Sequence, residues 1–338
     1  MYCSARESVA QYGSRRARPR REQSGGTIRF FWCDVAVLRI LLILLLFPPL
    51  MAAVIGWIVA PSFLHPIRRE LTSDLIREAD ASFAQVDARR ADFNLAAPDG
   101  VMLRGWKVWS LNSNGSWVLV FHGVADNRVG VIQQAEMLLR AGYNVAMMDA
   151  RAHGESGGAM ATYGWLERSD TRAIVDALVA AEHPAHLFAL GESMGAGIAL
   201  QSAAIDPRIE AVVAEAPFAS LREASYDYAG LQEYPELGKT LFAPGAWVML
   251  YRGGKLAGFS ANGVSAERAV AARGVPVLLI CDGADTTLPC RHAQRIYDAA
   301  SGPKSLWRVP GAFHTGAVGL APEEFRRRVL DFFARPQG

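Results

Sequence analysis

The sequence lacks the residue patterns that usually hold metals and nucleotides. Its four cysteines, at positions 3, 33, 281 and 290, do not have the paired spacing of a zinc site. No glycine-rich phosphate-binding pattern opens a helix after the first strand-like run. We therefore expect no metal and no cofactor.

Net positive charge is also absent outside the N-terminal region. Residues 1–39 contain eight Arg and no Lys against three acidic residues, a net charge of +5. Because the whole chain carries +2, the remaining residues carry −3. The basic charge thus forms a tail and no stripe on a folded domain, so nucleic-acid binding is not expected.

One long apolar run follows this tail. The 21 residues from Ile40 to Ala60, ILLILLLFPPLMAAVIGWIVA, carry no charge and as a helix would span about 31 Å at ~1.5 Å per residue, which matches a bilayer core. The Arg-rich flank before the run predicts, by the positive-inside rule, a cytoplasmic N-terminus and a domain across the cell membrane. A cleaved signal peptide, favoured by a helix break at Pro48-Pro49, and a buried core helix are the alternatives. We predict a single-pass anchor.

The patterns on either side of the run divide the chain. Residues 1–34 are predicted to be a basic cytoplasmic tail, disordered over 1–28, and 35–61 the transmembrane helix. Within 62–91, apolar residues recur every four positions and predict an amphipathic stem helix that packs on the domain or lies on the membrane. These residues are Leu71, Leu75, Ala79 and Phe83.

From Asp92 to residue 335, strand-like and helical patterns alternate. Strands are predicted in VMLRGWKVW, SWVLVFHG, YNVAMMDA, HLFALG, AVVAEAP, VPVLLICDG and KSLWRVPG. Helices are predicted near 131–141, 166–181, 194–205, 291–300 and 322–333. Most of the strand runs are almost continuously apolar, which is typical of strands buried on both faces. We therefore predict an α/β fold with a mostly parallel central sheet and helices on both faces.

Two segments, HGESGG and LGESMG, each place a serine between glycines two positions away. A nucleophilic serine needs a strained turn between a strand and a helix, with small residues on either side. Ser193 follows the HLFAL strand and precedes a helical stretch, whereas Ser156 lies in a glycine-rich stretch without a helix after it. We therefore predict Ser193 as the nucleophile and Ser156 as a loop residue.

A serine at neutral pH needs a base, usually a histidine held by a carboxylate. Of seven histidines, His314 lies in a glycine-bearing loop between a strand and the last helix, which predicts a position at the carboxyl edge of the sheet beside Ser193. Five of the other six histidines are assigned elsewhere: His65 to the membrane exit, His183 and His186 to the opposite edge, His122 to a structural turn and His292 to the surface.

The carboxylate that orients this histidine is expected on a neighbouring loop. Asp285 fits best, because Gly283 lets the chain turn out of the preceding strand. Asp282, nearer the strand end, and Glu215, at the end of the strand before it, remain alternatives.

Attack on an acyl carbonyl places negative charge on oxygen, so two backbone N–H groups should point at that oxygen. Met194 follows the nucleophile at a helix N-terminus, where the helix dipole also favours negative charge. Val124, in the HGVADNR loop after the WVLVF strand, is the predicted second donor. These two residues form the predicted oxyanion hole.

The segments FHGVADNR, MDARAHGESGG, TYGWLERSD and GESMG, followed by Asp285 and His314, resemble the α/β-hydrolase superfamily. They are similar to hydrolases that carry an N-terminal membrane segment before a serine hydrolase domain. The resemblance implies a Ser-His-Asp triad, an acyl-serine intermediate and no cofactor, and it aligns HGESGG with a structural loop. We expect a membrane-anchored hydrolase of a small-molecule or lipid acyl substrate, most readily a carboxylic ester. A peptidase, amidase or thioesterase, or a silent fold used for binding, are the alternatives.

The segment 221–274 interrupts the alternation for 54 residues. A connection of this length needs structure of its own, which predicts a small helical cap. Its aromatic residues either line an acyl pocket or pack the cap: Tyr226, Tyr228, Tyr234, Phe242, Trp247, Tyr251 and Phe259.

Cys281 and Cys290 bracket Asp285 in the sequence. If the domain faces an oxidising compartment, the two thiols could form a disulfide that fixes the loop of the acid. Alternatively, Cys281 is a small core residue and Cys290 covers the following helix. The sequence leaves both alternatives open.

Overall fold

The computed structural model describes residues 26–335, and the chain forms two compact units, Met1–Phe47 and Pro48–Gly338. The disordered tail expected over residues 1–28 lies outside the described residues, apart from 26–28, which begin the first helix.

Helix α1 (Gly26–Leu64) contains the apolar run. Its segment Val35–Leu64, with a mean hydropathy of 2.5, is long and apolar enough to cross a membrane. Pro48, Pro49 and Pro61 lie inside the helix and do not end it. The helix therefore continues through the proline pair at which the signal-peptide alternative expects a break.

The next helix lies within the segment 62–91, for which an amphipathic stem helix is predicted. Helix α2 (Ser73–Gln85) begins after Thr72, whose hydroxyl accepts a hydrogen bond from the N–H of Leu75. Its apolar face buries Ala79 and Phe83 in the core of the domain. The stem helix thus belongs to the hydrophobic core.

An eight-stranded sheet forms the centre of the domain. Its strands are β1 (Ala88–Asp92), β4 (Gly105–Ser110), β5 (Trp117–Phe121), β6 (Asn144–Met148), β7 (Leu187–Glu192), β8 (Ala211–Glu215), β9 (Val277–Asp282) and β10 (Lys304–Val309). Two short strands, β2 (Leu95–Ala96) and β3 (Met102–Leu103), pair separately. The spatial order is β1-β4-β6-β5-β7-β8-β9-β10.

Only the pairs β1–β4 and β4–β6 are antiparallel, and the other neighbours in this sheet run parallel. Glu192 at the end of β7 pairs with Glu215 at the end of β8, and β9 continues the same alignment. The loops that follow these parallel strands therefore meet at one edge of the sheet. This edge is where the predicted site residues are expected.

Helices cover both faces of the sheet. One face carries α2, α3 (Ile132–Arg140) and α12 (Pro322–Phe333), and the other carries α4 (Glu167–Glu182), α5 (Met194–Ile205), α9 (Ala266–Ala272) and α10 (Arg291–Ala299). The short helix α11 (Ala317–Leu320) precedes α12. The predicted α/β class, with a mostly parallel sheet between helical layers, is confirmed.

The segment 221–274 forms helices α6 (Leu221–Ala229), α7 (Pro235–Lys239) and α8 (Ala243–Ala257), a 3₁₀ turn at Ala261–Gly263, and α9. Helix α9 buries Ala266 and Val270 in the main core. Helices α6 and α8 instead share a separate apolar cluster with the end of α1: Leu64, Phe218, Leu221, Ala224, Leu250, Phe259, Val264 and Leu288. We refer to α6–α8 as the cap.

Candidate active site

Ser193 lies on a sharp turn between β7 and α5, with backbone angles φ 52° and ψ −117°. This conformation is strained for a residue with a side chain. A Cβ at Gly191 would lie 2.5 Å from the backbone of Gly195, and a Cβ at Gly195 would lie 2.4 Å from the carbonyl oxygen of Phe121. The turn therefore requires glycine at both positions, which is why the GESMG spacing predicts it.

His314 lies between Ser193 and Asp285, the two other residues predicted at this edge. Its Nε2 lies 2.8 Å from Ser193 Oγ, and its Nδ1 lies 2.7 Å from Asp285 Oδ2. The other oxygen of Asp285 accepts hydrogen bonds from the N–H groups of Thr287 and Leu288, at 2.7 and 3.0 Å. Because the Asp285 side chain is fully buried and fixed by its own loop, it holds the imidazole in one orientation.

The alternative carboxylates, Glu215 and Asp282, bind the backbone of the loop that follows His314. Glu215 Oε1 accepts from the N–H of Ala317 at 2.9 Å, and Asp282 Oδ2 accepts from the N–H of Thr315 at 2.8 Å. Each carboxyl also has one buried oxygen without a hydrogen-bond partner among the described residues. Neither side chain is hydrogen-bonded to His314, so both act as supports for its loop.

Burial and mutual repulsion disfavour charge on these supporting carboxyls. Burial, with the nearby Asp282, raises the pKa of Glu215 well above its ordinary value. Burial raises the pKa of Asp282 to about 6 and that of Glu192, directly before the nucleophile, to about 8. Glu192 Oε2 accepts from Gln134 Nε2 at 3.0 Å. Burial therefore favours the protonated form of Glu192, the residue directly before Ser193 in this turn.

The two residues of the predicted oxyanion hole, Val124 and Met194, line the same cavity as Ser193. Met194 is the first residue of α5, and an N–H in the first turn of a helix has no partner within that helix. Val124 lies in the turn after β5, next to Ala125 at φ 60°.

Ser156, the other serine between glycines, is fully buried away from this edge cavity. Its hydroxyl donates to the carbonyl of Asp149 at 2.7 Å and accepts from the N–H of Arg104 at 2.9 Å. His122 Nε2 accepts from the N–H of Ala150 at 3.0 Å, so it supports the same region. The predictions of Ser156 as a loop residue and of His122 as a structural residue are confirmed.

The surface position predicted for His292 is wrong. His292 is only 1% exposed, and its Nδ1 accepts from the N–H of Ala219 at 3.2 Å. Nε2 then carries the proton and donates to Asp227 Oδ2 at 2.6 Å, while Arg291 binds the other oxygen of Asp227. The helical pattern does not predict this burial, because His292 faces the cap helix α6, and the position of α6 cannot be inferred from the sequence. This pair ties the cap to the domain.

Cys281 and Cys290 form a disulfide, with their Cα atoms 5.2 Å apart. The bond joins the end of β9 to the start of α10 and closes the loop that contains Asp285. The alternative of two reduced core cysteines does not describe this structure.

A cavity of about 470 Å³ opens at Ser193. Its lining comes from α1, from the cap and from the loops at the edge of the sheet that carries Ser193: Val59, Ser62, Phe63, Val124, Tyr163, Ser193, Met194, Phe218, Leu221, Ala224, Ser225, Tyr228, Met249 and Leu288. Of the cap aromatics named above, Tyr228 lines this cavity. Phe63 and Tyr163, which stack with ring centroids 4.7 Å apart, are not identified from the sequence. The only signal was that Phe63 follows the apolar run by three residues.

Two other observations bear on the site. A more open depression of about 650 Å³, lined by cap residues that include Arg222, Trp247 and Lys255, contains none of Ser193, His314 and Asp285. Within residues 26–335, no three His, Cys, Asp or Glu side chains cluster as a metal site requires. The cavity at Ser193 is therefore the candidate active site.

Comparisons with known proteins agree with this architecture. The family Hydrolase_4, described as serine aminopeptidase S33, matches residues 113–251. The uncharacterized protein YqkD of Bacillus subtilis is 28% identical over 79% of this chain and 88% of its own length. The lysophosphatidylserine lipase ABHD12 of Danio rerio is 28% identical over 60% of this chain and 51% of its own length.

Among solved structures, the Pyrococcus furiosus esterase Pf2001 is similar in fold, with a TM-score of 0.64 and 24% identity. The match covers 81% of this chain and 100% of the esterase. Together with the eight-stranded sheet and the turn at Ser193, these comparisons show that this chain has the α/β-hydrolase fold and is similar to proteins of the α/β-hydrolase superfamily.

Proposed function

We propose that this protein is a membrane-anchored serine hydrolase that cleaves a carboxylic ester through an acyl-serine intermediate. The observation that supports this proposal most strongly is the position of His314, which is hydrogen-bonded to Ser193 Oγ on one side and to Asp285 on the other. This arrangement gives the serine a base and gives the base a fixed tautomer.

In the proposed reaction, Ser193 Oγ attacks the ester carbonyl and its proton passes to Nε2 of His314. The N–H groups of Met194 and Val124 stabilise the negative oxygen of the tetrahedral intermediate. The carbon–oxygen bond to the alcohol then breaks, and His314 gives its proton to the leaving alcohol. Water next attacks the acyl-serine with His314 as base, which releases the acid and restores Ser193.

An ester is preferred to a peptide because of the chemistry of the cavity. An aminopeptidase has to neutralise the α-ammonium of its substrate, which usually requires a carboxylate in the pocket. None of the described residues that line the cavity at Ser193 is charged, and most of them are apolar. The description of the matching family as a serine aminopeptidase makes peptide cleavage the second candidate.

The anchor and its orientation are part of the proposal. The apolar segment Val35–Leu64 is long enough to span a membrane, and the Arg-rich residues before it favour a cytoplasmic N-terminus. The disulfide between Cys281 and Cys290 supports an oxidising compartment for the domain. Protease added to intact cells should then digest the domain, and protection of the domain with loss of the tail would reverse the orientation.

The activity is tested with the full-length chain and a series of acyl esters of increasing chain length. Ser193→Ala should lower turnover by about 10⁴-fold or more, whereas Ser156→Ala, an alteration at the other serine between glycines, should retain most of it. An aminoacyl amide series run in parallel separates ester from peptide cleavage. No turnover of any ester by the wild type, or equal turnover by the Ser193→Ala variant, would reject the proposal.

A further inference from the structure

The cavity at Ser193 adjoins a second space beside helix α1. This second space, the α1 groove, has a volume of about 430 Å³ and is formed by α1, α6 and α8. Four residues line both spaces: Val59, Ser225, Tyr228 and Met249. The two volumes are therefore neighbours, and the one that contains Ser193 is separated from the α1 groove by no more than these shared residues.

The lining of the α1 groove is apolar. Helix α1 contributes Pro48, Met51, Ala52, Ile55, Gly56 and Val59, and the cap contributes Ser225, Tyr228, Ala229, Leu231, Phe242, Gly245, Ala246 and Met249. The hydroxyl of Ser225 is already bonded to the carbonyl of Leu221 at 2.8 Å. A hydrocarbon chain suits such a lining, because it leaves no polar group without a partner.

The length of the α1 groove fits one leaflet of a bilayer. From Pro48 to Val59 the helix advances 11 residues, about 16 Å at ~1.5 Å per residue. This distance is close to half of the ~30 Å hydrocarbon core. Val59 lies near the C-terminal end of the charge-free run Ile40–Ala60, and Pro48 lies two residues before its middle, so most of this stretch belongs to the C-terminal half. In the proposed topology, the groove therefore runs along the leaflet on the side of the domain.

Close contacts hold the cap against this part of α1. A Cβ at Gly56 would lie 2.1 Å from the carbonyl oxygen of Gly245, so the two helices meet through their backbones. Arg252 of α8 lies over the ring of Trp57, 4.4 Å from its centroid, and donates a hydrogen bond to the carbonyl of that residue. The helix that is able to span a membrane thus forms one wall of the α1 groove and is held there by the cap.

The exposed surface of the cap suits the membrane interface. Trp247 and Tyr251 on α8 are 66% and 57% exposed, and Leu231, in the turn after α6, is 75% exposed. Tryptophan and tyrosine are enriched where hydrocarbon meets lipid headgroups. Lys255 lies one turn beyond Tyr251, with its ammonium 5.8 Å from the ring centroid. The cap therefore exposes residues of the kinds that are enriched at a membrane interface, and one of them, Leu231, also lines the α1 groove.

We infer that the ester-linked acyl chain of a membrane lipid reaches Ser193 laterally, from the bilayer through the α1 groove. This inference rests on the proposed function, and it adds the substrate class and the route of entry. The acyl chain lies along α1 between Pro48 and Val59, and the ester carbonyl reaches Ser193 past Tyr228 and Met249. The route requires no transfer of the chain through water.

The test compares two fluorophosphonates on the full-length protein reconstituted in phosphatidylcholine vesicles. A short-chain probe is added from water, and a hexadecyl probe is incorporated in the vesicles. In both reactions Ser193 Oγ forms a bond to phosphorus, fluoride leaves and His314 takes up the proton, so no lipid headgroup has to be recognised. The measured quantity is the ratio of the two labelling rates at Ser193.

Two matched variants separate the groove from the helix surface. Ile55→Trp adds an indole where Ile55 lines the α1 groove, while Ile58→Trp adds the same group at an exposed position that lines neither space. Ile55→Trp should lower the long-chain to short-chain ratio about tenfold, the effect of losing roughly two buried methylene contacts. Ile58→Trp should leave the ratio at the wild-type value.

The outcomes distinguish the two claims. Failure of the short probe to label Ser193 in the wild type would overturn the proposed function. Labelling by the short probe, with no labelling by the vesicle-borne probe, would overturn lateral entry alone. Equal ratios for the Ile55→Trp and Ile58→Trp variants would also overturn lateral entry, because an indole in the α1 groove would then have no more effect than an indole outside it.

Discussion

The two sides of the cavity at Ser193 are built by different forces. On the sheet side, hydrogen bonds from loop backbone fix each carboxyl group, as the N–H groups of Thr287 and Leu288 fix Asp285. On the cap side, apolar side chains of α1, α6 and α8 enclose the space through contact alone. Hydrogen bonds fix direction, whereas apolar contacts fix mainly volume. In the proposed function, the sheet side therefore supplies the chemistry and the cap side selects the substrate.

A loss of charge on the sheet side should show this difference most strongly. Asp285→Asn should lower kcat/KM by about 10⁴-fold, as in serine proteases, because an amide no longer selects the productive histidine tautomer. Glu215→Gln is the matched control: burial favours the neutral form of Glu215, and glutamine retains an oxygen for the N–H of Ala317. Both variants are measured by kinetics with a soluble ester. A comparable loss of kcat/KM in the two variants would contradict the assignment of Asp285 as the carboxylate that orients His314.

The difference between the sheet side and the cap side also explains which parts of the site can be predicted from the sequence. The strand, glycine and helix patterns around Ser193 predict the nucleophile turn, and the loops that hold Asp285 and His314 follow strands that are recognisable by composition. Strand β1 (Ala88–Asp92) escapes prediction because it lies at the edge of the sheet and reads ARRAD, without apolar alternation. Its Arg90 instead lies over the ring of Trp106, 4.6 Å from the centroid.

The cap side is less predictable for a physical reason. Apolar periodicity shows that a helix has a buried face but does not name the partner of that face. The apolar run and the cap are each predicted from their patterns, yet their contact at Gly56 and Gly245 depends on the whole fold. The burial of His292 beneath α6 has the same origin.

Loss of the disulfide on the sheet side should have a smaller effect on activity and should mainly lower the free energy of unfolding. Cys290→Ala removes the disulfide to Cys281 and should lower the free energy of unfolding by about 3 kcal/mol, the value for a short closed loop. Denaturant unfolding of the solubilised protein measures the change. Alkylation of the wild type without prior reduction is the control, and two modified thiols in that peptide would contradict the bond.

The last predicted effect depends on pH and concerns the buried carboxyl of Glu192, directly before the nucleophile. Because burial raises the pKa of Glu192 from 4.5 to about 8, the folded protein keeps a proton that the unfolded chain releases between these values. The resulting stabilisation is fully present below the ordinary pKa and is lost as the pH rises through about 8. Glu192→Gln removes this titration.

The difference in Tm between the Glu192→Gln variant and the wild type should therefore grow by a few degrees from about pH 5 to about pH 9, in favour of the variant. Thermal unfolding of both proteins across this range measures the effect. A difference that stays constant with pH would show that Glu192 is ionised in the folded protein.

The central claim is that Ser193 forms a covalent acyl intermediate at the edge of the sheet. The most direct test mixes the full-length protein with a p-nitrophenyl ester, stops the reaction in acid within the first turnover and maps the modified peptide by mass spectrometry. The account predicts the mass of the acyl group on the peptide that contains Ser193, and no such mass in the Ser193→Ala variant. An acyl group on the peptide of Ser156, or ester turnover without any acylated serine, would contradict it.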